Sequence, residues 1–307
     1  MKPFRKHTAI AIDGGGIRGI IPAVALSMLE GELGKPVFEI FELAAGTSTG
    51  SIISAGIGAG LTAKKMAELY RDLGDSIFPR SLRRLLWPLT RYRYAAEPLQ
   101  DALNRVFGNM KMGDFWSHDS SIDVVITTFD LVENRTRFIK PWKQEYATWL
   151  VSYAVQASSS VPTYFPIVDG RFIDGGVGSY ANPCYLAAYE ALILLGWNLE
   201  ETTLISLGTG REPNKFEPHQ ADKLWAWDWI APILGAFLNS ADDQQVHLVE
   251  TFFEKLDFRR FQIELRDPIP MDDASKIEEL IAYGVRLGHM LLEDKIDVSQ
   301  KVIPESI

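Results

Sequence analysis

Cysteine is all but missing from this 307-residue chain, Cys184 being the only one. A lone thiol closes no internal disulfide, and without companions it builds no thiolate zinc cluster. Long apolar runs are missing as well: no segment approaches the ~18 uninterrupted apolar residues of a membrane-crossing helix, so any meeting with lipid is expected at the protein surface. The first residues, Met1 to Lys6, are basic, but the apolar run behind them, Ala9 to Ile12, is stopped by Asp13 and is too short for a secretory signal. A cytoplasmic location with transient membrane contact is the expectation. Positive charge is in deficit, with 31 Lys and Arg against 40 Asp and Glu and a net charge of -9. That balance disfavours general nucleic-acid binding, because neutralising phosphates requires a basic surface. No calcium loop is visible, and neither a metal nor another cofactor is expected. Repeats and low-complexity linkers are absent too. With 47% hydrophobic residues the chain can bury a large core, and a single domain over 1–307 is the simpler reading, with its motifs within about 8–210 and helices plus a strand over 211–307 completing it.

What the chain does have is punctuation by glycine. Gly46-Thr47-Ser48-Thr49-Gly50 follows a short apolar run, Phe41 to Ala45, and precedes a helix of small residues, Ser51 to Gly56. A strand, a Gly-x-Ser-x-Gly turn and a helix make a nucleophile elbow, which makes Ser48 the candidate nucleophile. The same residues also suit an ordinary turn. Upstream, the strand-like Thr8 to Ile12 runs into Asp13-Gly14-Gly15-Gly16-Ile17-Arg18-Gly19, followed by a helical pattern through Ile21, Val24, Ala25, Met28 and Leu29. This β-α-β-α opening predicts an α/β fold, a mostly parallel central sheet with helices on both faces and both loops at its carboxyl edge. Gly14, Gly16 and Gly19 fit a dinucleotide fingerprint, but the next strand ends in Gly46-Thr47-Ser48 rather than in the acid such folds need. The bare N–H groups of Gly14, Gly15 and Gly16 suit a developing oxyanion instead. Arg18 is a candidate phosphate contact, or a solvated arginine.

Further along, Met66, Leu69, Tyr70 and Leu73 form one helix face, with Thr62 as N-cap, and are expected in the core. From Ser76 to Ala96 no residue is acidic, and arginines including Arg83 and Arg84 alternate with apolar and aromatic residues including Trp87. This segment is a candidate for anionic headgroups, or an arginine-decorated packing segment. Strands are expected at Ile122 to Phe129, Thr136 to Ile139, Arg171 to Ile173, Thr203 to Leu207 and Phe258 to Leu265, and helices at Tyr146 to Ala157, Asp242 to Glu254 and Ala274 to Leu292. Asp174-Gly175-Gly176 closes one of these strands. A buried acid there can serve as a base, although a turn aspartate would look the same. Trp225, Trp227 and Trp229 read either as a lid or acyl-chain wall near 223–240, or as core. Of the five histidines, His219, His247 and His289 stand in the order of a hydrolase triad, but none has the setting of a strand-end catalytic loop, and Ser48 with Asp174 is favoured.

The ordered set resembles the patatin-like phospholipases: Asp13 to Gly19, Gly46 to Gly50, Ala157 to Pro166, Asp174 to Gly176, and Ser206-Leu207-Gly208-Thr209-Gly210, spanning about residue 8 to about 265. The resemblance implies a three-layer α/β/α fold and a lipid acyl hydrolase of phospholipase A or lysophospholipase type. Ser48 and Asp174 would form its dyad, and Gly14, Gly15 and Gly16 its oxyanion hole. It also implies an acyl-lipid substrate and a peripheral membrane surface. Trp87, Arg83, Arg84, Trp225 and Trp229 are candidates for that surface. Ser51 departs from the family, many of whose members carry a further glycine there. Two rivals remain open: an effector regulated by a small-molecule activator such as a cyclic nucleotide, as in some bacterial relatives, and a general lipase or esterase with a Ser-Asp-His triad.

Overall fold

Among the described residues seven strands build one mixed sheet: β1 His7–Ile12, β2 Leu43–Gly46, β3 Asp123–Asp130, β4 Arg135–Ile139, β5 Phe172–Asp174, β6 Thr202–Leu207 and β7 Asp257–Phe261. The computed structural model describes residues 1–79, 89–116, 122–213, 216 and 219–297. The strand order is β4-β3-β2-β1-β6-β7, with β5 paired to β3. Every neighbour pair from β3 to β7 is parallel, whereas β4 and β5 run antiparallel to β3.

β1, β2 and β6 are buried almost throughout, as parallel strands covered on both faces must be. Their period of two divides the core. Ile10, Ile12, Ala44, Val124, Ile126, Ile205 and Leu207 face one cluster, which includes residues of the helices Ile20–Leu33, Thr49–Gly58, Glu97–Phe107 and Ile277–Leu292. Ala9, Ala11, Leu43, Ala45, Val125 and Leu204 face the other, with residues of the helices Cys184–Tyr189 and Ile230–Phe252. The result is the three-layer arrangement expected from the β-α-β-α opening.

Three elements differ from expectation. The helix expected over Tyr146 to Ala157 is two, Gln144–Ala147 and Val151–Ser159. Between them the backbone turns aside to pair with a distant segment, Trp149 O accepting from Met112 N and Val151 N donating to Met110 O, both at 2.9 Å. The last strand stops at Phe261 rather than Leu265, where the Gln262 side chain intrudes, its Oε1 accepting from Gly210 N and Ile263 N at 3.0 Å. The helix expected from Asp242 starts at Ile230.

Candidate active site

The elbow at Ser48 is a local consequence of glycine. Ser48 has φ 54° and ψ -124°, a conformation that a residue with a Cβ rarely adopts, between β2 and the helix Thr49–Gly58. The sharp turn presses the new helix onto β1: a Cβ on Gly50 would lie 2.1 Å from Ile12 O. The strained backbone is held from several sides. Ser48 N donates to Ser158 Oγ at 2.9 Å, Ser51 Oγ donates to Ser48 O at 2.6 Å, and Thr47 Oγ1 meets Thr127 Oγ1 at 2.7 Å. Ser51, the departure from the family pattern, is thus used as a brace.

Asp174 arrives from the opposite direction. β2 pairs with β3 as far as Gly46 opposite Ile126, while β5 enters antiparallel with Asp174 opposite Thr128. β4 already occupies the other edge of β3 over this stretch, so β5 continues the edge that β2 vacates. The carboxyl is 5% exposed and Ser48 6%. Burial pushes the Asp174 carboxyl up to about 6, against the Ser48 hydroxyl and the Gly176 N–H, which favour its charged form. Oδ1 accepts from Gly176 N at 2.8 Å. Oδ2 is buried and makes no hydrogen bond of ordinary geometry with a described residue, so the Ser48 hydroxyl stands beside the carboxyl without being locked to it. That pair can exchange a proton if the hydroxyl attacks.

The glycine loop flanks the serine: a Cβ on Gly14 would stand 3.2 Å from Ser48 Cβ. Its N–H groups are not equivalent. Gly14 N donates to Ala181 O at 2.9 Å, so the expected trio of donors is reduced, and Gly15 N and Gly16 N are left with no hydrogen bond to another described residue. Gly16 takes φ +59°, and a side chain there would strike Met271 O at 2.3 Å. Arg18 Nη1 donates to Glu212 Oε1 at 2.8 Å, with its side chain 12% exposed, so it is not the solvated arginine considered above.

Beneath the loop lies a network that the sequence did not announce. Arg260 in β7 is 1% exposed and grips Asp13 in bidentate fashion, at 2.9 and 2.6 Å, while also reaching Ser206 Oγ at 2.9 Å and Asp242 at 3.2 Å. Burial pushes the Asp13 carboxyl up, and the Arg260 charge opposes it. In sequence, Arg260 is one of two adjacent arginines in a strand pattern; both are buried, and its partners set it apart, since Arg259 holds Asp257 whereas Arg260 holds Asp13.

From Ser48 a cavity of about 90 Å³, partly open to solvent, extends into the first core cluster. Leu69 and Tyr70, expected in the core, line it together with Phe78, Leu99, Leu103 and Phe165. The helix Glu97–Phe107 supplies Leu99, Ala102, Leu103 and Val106 at i, i+3, i+4 and i+7, the spacing of one apolar helix face. Trp225 and Trp229 are elsewhere, and the Trp227 side chain lies outside what the structure describes. Trp225 is 81% exposed and Trp229 39%, which removes both from the core, and neither lines the cavity. Arg83, Arg84 and Trp87 lie outside the described residues.

Among the described residues no histidine contacts Ser48 or Asp174. His7 stacks on Trp197, His219 pairs with Asp222, and His247 and His289 sit in the helices Ile230–Phe252 and Ile277–Leu292.

Comparison with known proteins follows the same lines. The family model described as patatin-like phospholipase matches residues 10–188. Patatin-17 of Solanum cardiophyllum is 26% identical, over 91% of this chain and 83% of its own. Patatin-like protein 2 of Oryza sativa subsp. indica is 28% identical, over 94% of this chain and 84% of its own. The crystal structure of VipD from Legionella pneumophila superposes with a TM-score of 0.50 at 12% identity, covering 95% of this chain and 67% of that one, a likeness of fold.

Proposed function

Because the chain belongs to the patatin-like phospholipase family, we propose that it is a serine lipid acyl hydrolase of phospholipase A or lysophospholipase type, using Ser48 and Asp174 as its dyad. The observation that carries this reading is the Ser48 hydroxyl, held on a strained backbone, beside a buried carboxyl at the mouth of an apolar cavity.

In the proposed reaction the acyl chain fills the cavity and its ester carbonyl meets Ser48. With a pKa of about 6, Asp174 is ionised at neutral pH and takes the serine proton as Oγ attacks. Negative charge develops on the carbonyl oxygen, toward which Gly15 and Gly16 offer N–H groups. Collapse of the tetrahedral species expels the alkoxide, which recovers the proton from Asp174. Water, deprotonated by the same carboxylate, then attacks the acyl carbon, and collapse breaks the bond to Ser48 Oγ, which takes the proton back from Asp174 as the fatty acid leaves. Arg18 holds Glu212 through Nη1 and would meet a headgroup phosphate beside that ion pair or in place of it. Exposed Trp225 and Trp229 suit a lipid interface, where indole rings favour the headgroup level. No helix among the described residues is long and apolar enough to cross a membrane.

The test is release of free fatty acid from mixed phospholipid vesicles in EDTA, read by mass spectrometry, for wild type and Ser48→Ala. Release by the wild type alone is expected. Equal release by both overturns the assignment of Ser48, and silence of the wild type that a cyclic nucleotide relieves turns the reading to an activator-dependent effector.

A further inference from the structure

Three consecutive serines end the helix Val151–Ser159 and begin the turn beyond it, and each meets a different fate. Ser158 is fully buried and its Oγ receives the Ser48 N–H at 2.9 Å. Ser160 receives the Asp174 N–H on its carbonyl at 3.0 Å, and its own hydroxyl donates to Gln156 O at 2.9 Å. Ser159 lies between them in sequence, is 7% exposed, and its Oγ has no hydrogen-bond partner among the described residues. Ser159 lines the same cavity as Ser48, among walls otherwise dominated by Ile52, Phe78, Leu99, Leu103 and Phe165.

An orphan hydroxyl in an apolar space is destabilising for the empty protein, because burial strips it of water without returning a partner. Nothing in folding calls for it: the neighbouring serines already brace the nucleophile and the acid. Its partner is therefore to be sought in what fills the cavity. An acyl chain has no polar atom along its length, and the ester is its one polar group brought to Ser48. Of the two ester oxygens, the carbonyl oxygen faces the glycine N–H groups in the proposed reaction, which leaves the alkoxy oxygen.

We propose that Ser159 is a substrate-contacting residue that donates a hydrogen bond to the alkoxy oxygen of the ester and assists its departure from the acyl carbon. The hydroxyl keeps its proton; the departing oxygen receives the proton that Asp174 took from Ser48, so Ser159 stabilises charge on that oxygen without being consumed. This inference rests on the acyl-hydrolase reading and adds to it a role in leaving-group chemistry.

Leaving-group dependence tests it. An alkyl alkoxide departs with difficulty and gains from a donor, whereas p-nitrophenoxide departs readily without one. The experiment compares kcat/KM for dioctanoyl phosphatidylcholine and p-nitrophenyl octanoate, which share an acyl chain, in wild type, Ser159→Ala and Ser159→Thr, with Ser48→Ala as the blank. For Ser159→Ala we expect a loss of roughly tenfold on the phospholipid and less than about twofold on the p-nitrophenyl ester, the size of one neutral hydrogen bond. Ser159→Thr, which keeps the hydroxyl, should stay within about threefold of wild type on both. Removing the orphan oxygen should also raise Tm by about 2 °C. Equal losses on both esters, or none on the phospholipid, overturn the proposal while leaving the hydrolase reading intact. A wild type inert on both esters overturns that reading and this inference with it.

Discussion

Gly46 and Asp174 pair with the same edge of β3, two residues apart, one opposite Ile126 and the other opposite Thr128. The parallel strand that delivers the candidate nucleophile and the antiparallel strand that delivers the candidate base thus meet end to end. Their separation is set by strand pairing, with Thr127 between them touching both sides: its Oγ1 meets Thr47 Oγ1 at 2.7 Å, and a Cβ on Gly175 would lie 2.1 Å from it.

The raised pKa of Asp174 fixes the pH dependence of the proposed dyad. A base must be ionised, so kcat/KM should rise about tenfold per pH unit below about 6 and level off above it. Asp174→Asn should lower activity by roughly 10³-fold at pH 7.5. Stability moves the other way. Because the folded value lies above the ordinary 3.8, the folded state holds its proton more tightly, and stability declines as pH rises from 3.8 to about 6. Urea unfolding of wild type and Asp174→Asn at pH 4, 5.5 and 7.5 should show the variant gaining on the wild type with pH; a constant difference counts against the shift.

Gly50→Ala should destabilise by about 3 kcal/mol, because the methyl group would lie 2.1 Å from Ile12 O and 2.8 Å from Asp13 O, both backbone atoms that cannot swing aside. Gly31→Ala is the control. Nothing lies within 4 Å of its added Cβ, and it sits inside the helix Ile20–Leu33, so it should stabilise by roughly 0.5–1 kcal/mol. Chemical denaturation of the two variants measures both.

Arg260→Met should be among the most damaging single changes, about 3–5 kcal/mol, since it strips the buried Asp13 of its bidentate guanidinium, while Asp242 keeps Asn182 and Arg211. Adding Asp13→Asn should recover part of that loss by removing one buried charge. Full additivity of the two substitutions in denaturant titrations would show that the pair is not coupled.

Leu103→Trp should narrow the proposed acyl cavity. Leu103 is 3% exposed and lines it. Hydrolysis of hexadecanoyl esters should fall roughly tenfold relative to butanoyl esters, as expected when a hydrophobic pocket loses room for a few methylenes. A uniform change across chain lengths would place the chain elsewhere.

The sheet and the elbow were legible in the sequence because both are local: apolar runs with period two, and glycines at fixed spacing. Asp174 was legible as an acid at a strand end, but the reason it reaches Ser48 was not, since that depends on which edge of β3 the strand Phe172–Asp174 joins. Arg260 and Ser159 escaped for a related reason. An arginine beside another in a strand and a serine among serines look ordinary until burial shows what they touch or fail to touch. The tryptophans were misleading in the opposite sense. Large rings suggest a wall, yet the cavity is walled by leucine and phenylalanine at helical spacing, and Trp225 faces solvent.

Ile17, Leu99, Leu103 and Phe165 belong both to the cavity wall and to the core cluster. To the surrounding helices, an acyl chain bound there would therefore stand in for a core side chain. A fatty acid retained after cleavage would act as filler and stiffener at once. On that reading product inhibition and thermal protection would be one event seen by two instruments, and stripping the fatty acid would make the protein more open to substrate and less durable in the same step.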